Sequence, residues 1–407
     1  MLRQRFVTLA AALLCAALIS LARPSLAQIT TAGTTVDDFQ LVSGFEATGK
    51  AAAVDSHGNV YTVGTGRTAT EGHWVVRKST DGGNTFATVM TYRYSANGSN
   101  EAHAVAVDTR DNVYVAGHGV DTKGFYRWIV CKSSDGGATW RVVDDHTLGR
   151  DTRPNGICAS ASGAIYVVGS GSQWVKGGND NYWLVRRSTD AGATWTTVDK
   201  FLSQPAGKNS TSAYAVAEDV NGNLYVAGLA NDSANLRHSI VRRGTANGTS
   251  WTIIDDFQYL SGNPFWPTSV AVDNASGSVY VTGYARDASS MPHAILRKGS
   301  TVTAGGGFAT ISDYQHEPGQ YTSANAVVIG PSGELVQALE AGRSTGDGLW
   351  LIRASYDGGA TFSVLDEFQY VPGKGGIPNG LVTAGASLFA IGRADDGVTN
   401  HWITRKY

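Results

Sequence analysis

Seven polar side chains recur along the chain, one in each copy of a sequence repeat of about 55 residues. Each lies just before the first strand-like run of its copy; they are Lys50, His103, Asn155, Tyr214, Thr268, Asn325 and Asn379. If the copies surround a common axis, these side chains ring the mouth of a central channel. Two interpretations stay open: a ring that binds a polar ligand, or a ring that channel water merely hydrates.

A second set of candidate binding residues lies in the longer loops, between the second and third runs of a copy or between one copy and the next. Loops on a rigid scaffold are where binding residues concentrate. The set mixes guanidinium, carboxylate and indole groups: Arg67, Trp174, Trp266, Arg286, Asp287 and Arg343. Flat aromatic faces beside such groups suit sugar rings and their carboxylates. We therefore expect a glycan-binding surface; packing of these aromatics against neighbouring loops is the alternative.

The repeat itself is clearest in its third strand-like run. The run reads WVVRK at 74, WIVCK at 128, WLVRR at 183, SIVRR at 239, AILRK at 294, WLIRA at 350 and WITRK at 402. Each copy has four short runs rich in Val, Ile and Tyr, which is typical of one blade of a β-propeller. In the second copy these are residues 104–108, 112–116, 128–132 and 139–144.

Closure of the ring follows from a missing run. The third run occurs seven times, but a fourth run follows only six of these occurrences. The remaining fourth run, TVDDF, stands at residues 35–39, before the first copy of the repeat. We expect residues 35–39 to pair with residues 402–406, which covers two strand edges. The sequence therefore predicts an all-β fold: one domain over residues 28–407, a seven-bladed β-propeller with four antiparallel strands per blade.

Between the third and fourth runs lies an octet with four close copies: STDGGNTF at 79, SSDGGATW at 133, STDAGATW at 188 and SYDGGATF at 355. Its aspartate can accept backbone N–H groups of a turn, and its glycines supply positive φ. We interpret these octets as structural hairpin turns, with the recurring polar residues Ser79, Asp81, Ser133, Asp135, Ser188, Asp190, Ser355 and Asp357.

These octets resemble the Asp-box, or BNR repeat, of sialidase-like and sortilin-like propellers. The segments AVAVDTRDNVYVAG at 104 and SVAVDNASGSVYVTG at 269 resemble bacterial β-propeller repeats. The resemblance implies a propeller over residues 35–407 whose Asp-boxes lie opposite the functional face. It carries over no catalytic residue, because the chain lacks the Arg-Ile-Pro motif of sialidases and has seven repeats where sialidases have six blades.

The first 27 residues have the pattern of a signal peptide, with Arg3 and Arg5 before an apolar run and a small-residue cleavage site near Ala27. We expect export, to the periplasm or the outside of the cell. No later segment is long and apolar enough to span a membrane. Removing the signal takes away three arginines and no acid, so the net charge of −2 becomes more negative. That balance argues against nucleic acid as a partner.

Neither cysteines nor histidines form a metal-binding pattern in the sequence. Cys131 and Cys158 occupy non-equivalent positions of two repeats, and we interpret them as buried free thiols. A disulfide between them, which export would permit, is the alternative. His73, His238, His293 and His401 recur at the start of the third run in separate repeats. They cannot meet at bonds of about 2 Å around one zinc ion. We expect no metal and no cofactor.

The leading functional hypothesis is a secreted propeller that binds or processes glycans through the face formed by its longer loops. The first alternative is a non-enzymatic scaffold that binds an extracellular protein with the same face. The second is a sialidase-like glycoside hydrolase, and a polysaccharide lyase is the other enzymatic possibility. We expect a monomer.

Overall fold

The computed structural model describes residue 29 and residues 32–96, 98–176, 178–204, 210–301 and 307–407. The proposed signal peptide, residues 1–27, lies outside them. Within the described part the secondary structure consists of 28 β-strands. No helix there is long and apolar enough to cross a membrane.

The strands follow one another in groups of four after β1 (Thr34–Phe39). The first group is β2 (Ala47–Val54), β3 (Val60–Arg67), β4 (Gly72–Ser79) and β5 (Ala87–Tyr92). The second is β6 (Asn100–Val107), β7 (Val113–Val120), β8 (Tyr126–Ser133) and β9 (Arg141–His146). The third is β10 (Thr152–Ala159), β11 (Ile165–Val175), β12 (Gly178–Ser188) and β13 (Thr196–Phe201).

The later groups continue this order. The fourth is β14 (Ser212–Glu218), β15 (Leu224–Asn231), β16 (Arg237–Gly244) and β17 (Trp251–Leu260). The fifth is β18 (Asn263–Asp273), β19 (Ser278–Arg286), β20 (Pro292–Ser300) and β21 (Ala309–Tyr314). The sixth is β22 (Thr322–Ile329), β23 (Leu335–Gly342), β24 (Gly348–Ser355) and β25 (Ser363–Phe368). The chain ends with β26 (Gly376–Ala384), β27 (Ser387–Asp395) and β28 (Asn400–Lys406).

The described strands form antiparallel sheets of four, except that β14 to β21 make one sheet of eight. The larger sheet contains two groups, joined by the pairs Gln258 with Pro264 and Leu260 with Asn263. The first strands of the groups contact one another in sequence, and β26 contacts β2, so they close around an axis. This all-β arrangement is consistent with a β-propeller.

Both ends of the described chain meet in one sheet, whose strand order is β1, β28, β27, β26. β1 pairs antiparallel with β28, so that Thr35 lies opposite Arg405 and Phe39 opposite Trp402. Without this pairing the outer edge of β28 would be open to other chains.

The core consists of layers between adjacent sheets. The middle strands are buried along almost their whole length, because a neighbouring sheet covers each of their faces. Trp74, for example, packs in a cluster that includes Val113 and Ile129 of the next group. The same layers hold the fully buried aromatics Trp128, Trp183, Trp350, Trp402, Tyr61, Tyr114, Tyr166, Tyr225 and Tyr280.

Candidate functional site

The seven recurring polar residues lie inside the first strands, which corrects the expectation that they precede them. β6, for example, begins at Asn100, not at Ala104. In each group the pairing register skips one residue, as between Ala102 and Ala104. The skipped residues are Lys50, His103, Asn155, Tyr214, Thr268, Asn325 and Asn379. Such a β-bulge redirects a side chain out of the regular pleat.

All seven bulge residues line a single cavity of about 290 Å³ on the axis. Val216, Val270 and Val327 line this cavity and also a second one, of about 600 Å³, that includes Cys158 and Glu218. The two cavities are therefore the ends of one channel with an apolar neck. The structure thus brings the predicted ring together at one end of this channel.

Three members of the ring hold neighbouring strands together. The Asn155 amide donates to the Ala213 carbonyl at 2.7 Å, and the Asn379 amide donates to the Gly49 carbonyl at 2.8 Å. The Thr268 hydroxyl donates to the Ala324 carbonyl at 2.8 Å. These bonds cross from one group of strands to the next, so these three side chains position the ring.

His103 belongs to a hydrogen-bonded histidine pair at the channel mouth. Its Nε2 lies 2.7 Å from Nδ1 of His118, which projects from β7. Burial holds the pKa of His103 well below its usual value, and the neighbouring His118 and Lys50 lower it further. Burial also lowers the pKa of His118 to about 4. Both imidazoles are therefore neutral at neutral pH, and a neutral imidazole can accept a proton.

Glu101, His103 and His118 also form a cluster that could hold a metal ion, since their ligand atoms lie within 4.8 Å of one another. Two nitrogens bound to one tetrahedral zinc would stand ~3.3 Å apart, given bonds of about 2.0 Å. The observed 2.7 Å is instead a hydrogen-bond distance. Lys50 interacts electrostatically with both Glu101 and His103, and its positive charge disfavours the binding of a metal cation beside it. The expectation that no metal binds stays a prediction.

A tyrosine and an arginine adjoin the histidine pair. The ring of Tyr126 packs edge-on against His118, with centroids 5.1 Å apart. The guanidinium of Arg153 lies over the ring of Tyr126, 3.5 Å from its centroid. Asp151 fixes that guanidinium with two hydrogen bonds, of 2.6 and 3.1 Å. A proton acceptor, a phenol and a fixed cation thus stand side by side.

Lys50 and Arg393 contribute positive charge on the other side of the His pair. Burial lowers the pKa of Lys50, Glu101 raises it and Arg393 lowers it again. The Arg393 guanidinium also pairs with Glu46 at 3.2 Å. Cations that crowd one another in a partly buried site provide attraction for an anionic ligand.

A carboxyl group with a raised pKa stands elsewhere on the same mouth. Burial raises the pKa of Glu340, whereas Arg393 and a hydrogen bond from the Tyr321 hydroxyl lower it less. The Tyr321 pKa is raised to about 12 by burial and by Glu340. Glu340 is therefore a second candidate proton donor.

Four of the candidate residues that were expected in loops lie in strands instead. Arg67 ends β3, Arg286 ends β19, Trp174 lies in β11 and Trp266 lies in β18. The strands are longer than expected because the backbone pairing of each hairpin continues almost to its turn.

The candidate residues mostly contact their own surroundings. Arg286 donates to the Ser290 carbonyl at 2.8 Å, and Asp287 accepts from the backbone N–H groups of Ser289 and Met291. Trp266 stacks on Tyr284, with centroids 6.2 Å apart.

Two predicted arginines form ion pairs at the surface, and one predicted tryptophan stands out from it. Arg67 pairs with Glu46 at 3.5 Å, and Arg343 pairs with Asp347 at 3.4 Å. Trp174 is 76% exposed, in contrast to the half-buried Trp266.

The four octets form turns with one shared hydrogen-bond pattern. In the second, Ser133 Oγ donates to Asp135 and accepts from the Gly137 N–H, while both the N–H and the hydroxyl of Thr139 donate to Asp135. These bonds lower the pKa of Asp135 to about 2. The other three octets repeat the pattern around Ser79 with Asp81, Ser188 with Asp190 and Ser355 with Asp357.

Four residues of the mouth were not among the predicted site residues: Glu101, His118, Tyr126 and Arg153. The repeat nevertheless contains a signal for three of them. Glu101 and His118 lie opposite each other, just outside the bulge, and Arg153 has the same register in its own group. The equivalent second-strand position varies between groups: Thr65, His118, Ser170, Leu229, Tyr284, Glu340 and Arg393. Alignment of this position would have pointed to the mouth.

No family model matches the sequence, and no curated protein matches it. An ulvan lyase from a new family of polysaccharide lyase superposes with a TM-score of 0.60 at 10% identity, covering 93% of this chain and 95% of the lyase. An α-L-arabinanase of Penicillium chrysogenum with arabinobiose gives 0.50 at 13% identity, covering 75% and 92%. A fungal alcohol oxidase with copper gives 0.54 at 13% identity, covering 93% and 76%.

At these identities the likeness shows the fold alone. The solved structures that share it include carbohydrate-active enzymes, and the oxidase shows that the same architecture also serves other chemistry.

Proposed function

We propose that this chain is a secreted seven-bladed β-propeller, built on Asp-box turns, that cleaves acidic polysaccharides by β-elimination. The observation that carries the proposal is the neutral His103–His118 pair, held between Lys50 and Arg153 at the channel mouth. In this count of blades, the sheet of eight strands contributes two.

Elimination from a uronate needs three groups. A cation must bind the carboxylate, because this makes the proton on the neighbouring carbon more acidic. A neutral base must take that proton, and an acid must supply one to the departing glycosidic oxygen. Lys50 and Arg153 suit the first task, His103 the second and the Tyr126 hydroxyl the third.

The proposed step balances without a cofactor. The C5–H bond breaks, its electron pair forms the C4–C5 double bond, and the bond from C4 to the glycosidic oxygen breaks. His103 receives the C5 proton and Tyr126 gives a proton to the oxygen. His118 holds His103 through the bond between Nε2 and Nδ1, and so fixes which nitrogen is free to accept.

Hydrolysis is the second candidate, and Glu340 is the observation that favours it. A carboxyl group whose pKa is raised by burial can protonate a leaving glycosidic oxygen. Sialidases use a tyrosine paired with a glutamate as their nucleophile, and the hydrogen-bonded pair of Tyr321 and Glu340 resembles it. A purely scaffolding face has less support, because Trp266 is stacked within its own group of strands.

One solved structure that shares this architecture is an ulvan lyase, which supports the proposal. The electrostatics of the mouth are the stronger support. An enzyme for neutral sugars has no evident use for Lys50 and Arg153 beside two uncharged imidazoles.

The test uses purified residues 28–407 on a panel of uronate-containing and neutral polysaccharides. We expect ultraviolet-absorbing unsaturated products from the uronate polymers only. His103→Ala should lower the rate at least about a hundredfold, and Tyr126→Phe should also lower kcat. His57→Ala is the matched control, since His57 lies in an exposed turn beside Asp111. Equal activity of His103→Ala and the wild type would refute the assignment.

Export rests on the sequence pattern of residues 1–27 and is part of the proposal. Expression of the full chain in a host with a periplasm should give a mature protein that starts near Gln28. N-terminal sequencing of the exported fraction measures this, and retention of the leader in the cytoplasm would contradict it.

A further inference from the structure

The hairpin formed by β11 and β12 is longer than its counterparts in other groups. Each of its strands has 11 residues, whereas β7 and β8 have eight. The extra pairs extend the hairpin beyond Gly171, where the pairing of β11 with β10 ends, and include Ser172 with Asn181 and Trp174 with Asn179.

One face of this extension is polar and aromatic. Residues two apart on a strand share a face, as do residues opposite each other on paired strands. Ser172, Trp174 and Asn179 therefore lie on the same face, and with Gly149 and Arg150 they line a cavity of about 400 Å³. Trp174 is 76% exposed, so the chain itself does not cover its indole.

The other face of the extension is used by the protein itself. Lys200 Nζ donates to Gln173 Oε1 at 3.0 Å and lies 4.1 Å from the ring centroid of Tyr182. These contacts hold the hairpin in place from behind. The cavity side is thus presented on a fixed support.

The cavity is tied closely to the mouth residues. The N–H of Ser172 donates to the Asp151 carbonyl at 2.7 Å, and the Asp151 carboxylate holds Arg153. A Cβ on Gly149 would lie 1.9 Å from the Ser172 carbonyl oxygen, so only glycine permits this close approach. Arg150 stands over the ring of Phe125, 5.2 Å from its centroid, which orients its guanidinium.

We propose that this cavity is an outer binding subsite for an anionic sugar of the polysaccharide. Trp174 stacks on the ring face, Arg150 pairs with a carboxylate or sulfate ester, and Asn179 and Ser172 bond to hydroxyls. The subsite rests on the proposed function for its glycan ligand and adds a site away from the bond that is cleaved. The subsite lets the enzyme hold a long polysaccharide while one of its sugar units occupies the channel mouth.

The experiment separates binding from cleavage. Affinity electrophoresis in a uronate polysaccharide measures binding, and initial rates on the polymer and on short oligosaccharides measure cleavage. Trp174→Ala should weaken polymer binding about tenfold, a loss within the range of one aromatic contact. It should raise KM for the polymer and leave kcat on short oligosaccharides unchanged. Val398→Ala is the control, because Val398 is an exposed apolar side chain in the turn of the corresponding hairpin, between β27 and β28.

The anionic group is identified with modified polymers. If Arg150 binds a carboxylate, carboxyl reduction of the polymer should remove the difference between the wild type and Arg150→Gln. If it binds a sulfate ester, desulfation should remove that difference. Persistence of the difference with both modified polymers would overturn the role of Arg150.

The outcomes distinguish the two proposals. Cleavage with an unchanged polymer KM in Trp174→Ala would overturn the subsite and leave the elimination proposal standing. Glycan binding that depends on Trp174, without any cleavage, would support the subsite and refute the elimination. Absence of both binding and cleavage over the panel would refute both.

Discussion

The Arg186 guanidinium donates two hydrogen bonds, of 2.7 and 2.8 Å, to the Asp144 carboxylate of the preceding group of strands. Both side chains are buried. Equivalent ion pairs join Arg77 to Asp37, Arg242 to Asp199, Arg297 to Asp255 and Arg405 to Asp366. At one boundary Cys131 and Met90 occupy these two positions and pack in the same apolar cluster.

This natural replacement predicts a difference between single and double variants. Arg186→Cys alone should lower the free energy of unfolding by about 3–5 kcal/mol, because it leaves the buried Asp144 carboxylate unpaired. The double variant Arg186→Cys with Asp144→Met should lose less, because no charge stays buried. Denaturant unfolding of the two variants measures this. A double variant less stable than Arg186→Cys alone would contradict the account.

The rate of cleavage should begin to fall only at an unusually low pH. Elimination requires the neutral His pair, and the pKa of His118 is lowered to about 4 by burial. The rate should therefore hold well below pH 6.5 and fall towards pH 4. A pH profile of kcat/KM measures this; an acid limb near 6.5 would mean that an ordinary exposed imidazole is the base.

The same burial makes stability depend on pH in a defined direction. His118 and His146 both have pKa values lowered to about 4 in the folded chain, against 6.5 as the usual value. Between these values the unfolded chain binds more protons, so stability falls as the pH falls from 6.5 to 4. Thermal unfolding across this range should show a falling midpoint, and replacement of His146 by Phe should reduce the slope.

His401 should act in the opposite direction. Burial alone would lower its pKa, but Asp38 and Asp396 outweigh that effect and raise it. The contacts are 2.6 Å from Nδ1 to Asp38 and 3.0 Å from Nε2 to Asp396. A raised pKa stabilises the fold below 6.5, and this contribution is lost as the pH rises through the folded value. NMR titration should give a lower His401 pKa in Asp396→Asn; an unchanged value would contradict this.

The octet serines should be structural. Ser133 is 1% exposed and accepts from the Gly137 N–H at 2.8 Å. Ser133→Ala leaves that buried donor without its partner, at a cost of about 1–3 kcal/mol. Denaturant unfolding measures the loss, with Ser289→Ala, at an exposed loop position, as the control. Loss of activity in Ser133→Ala without any loss of stability would show that the octet has a direct role.

The features that recur in every copy of the repeat could be predicted from the sequence. Period and alternation predicted β-sheets, and the recurring polar residues were found because each occupies the same place in its copy of the repeat, next to the first strand-like run. In each copy the strand was nevertheless expected to begin after that residue, because a bulge such as the one at His103 interrupts the alternation that defines a strand. The ion pair between Arg186 and Asp144 was not predicted, because the two residues belong to different copies of the repeat.

The site was harder to predict because it forms between copies. His118 and Tyr126 follow His103 in its own group, but Lys50 and Arg153 come from the groups on either side. Their contact depends on how neighbouring sheets pack, and a single sequence does not contain that distance. The one signal in the sequence for this site was that the second-strand residue beside the bulge differs from one copy of the repeat to the next.

Product analysis in heavy-oxygen water tests the central claim most directly. Purified residues 28–407 digest a uronate polysaccharide in this solvent, and mass spectrometry reads the oligosaccharides. Elimination predicts products with an unsaturated end and no solvent oxygen at the cleaved bond, formed by the wild type and His57→Ala and lost in His103→Ala. Saturated products that carry the heavy oxygen would contradict the account and make the chain a hydrolase, with Glu340 as the residue to study next.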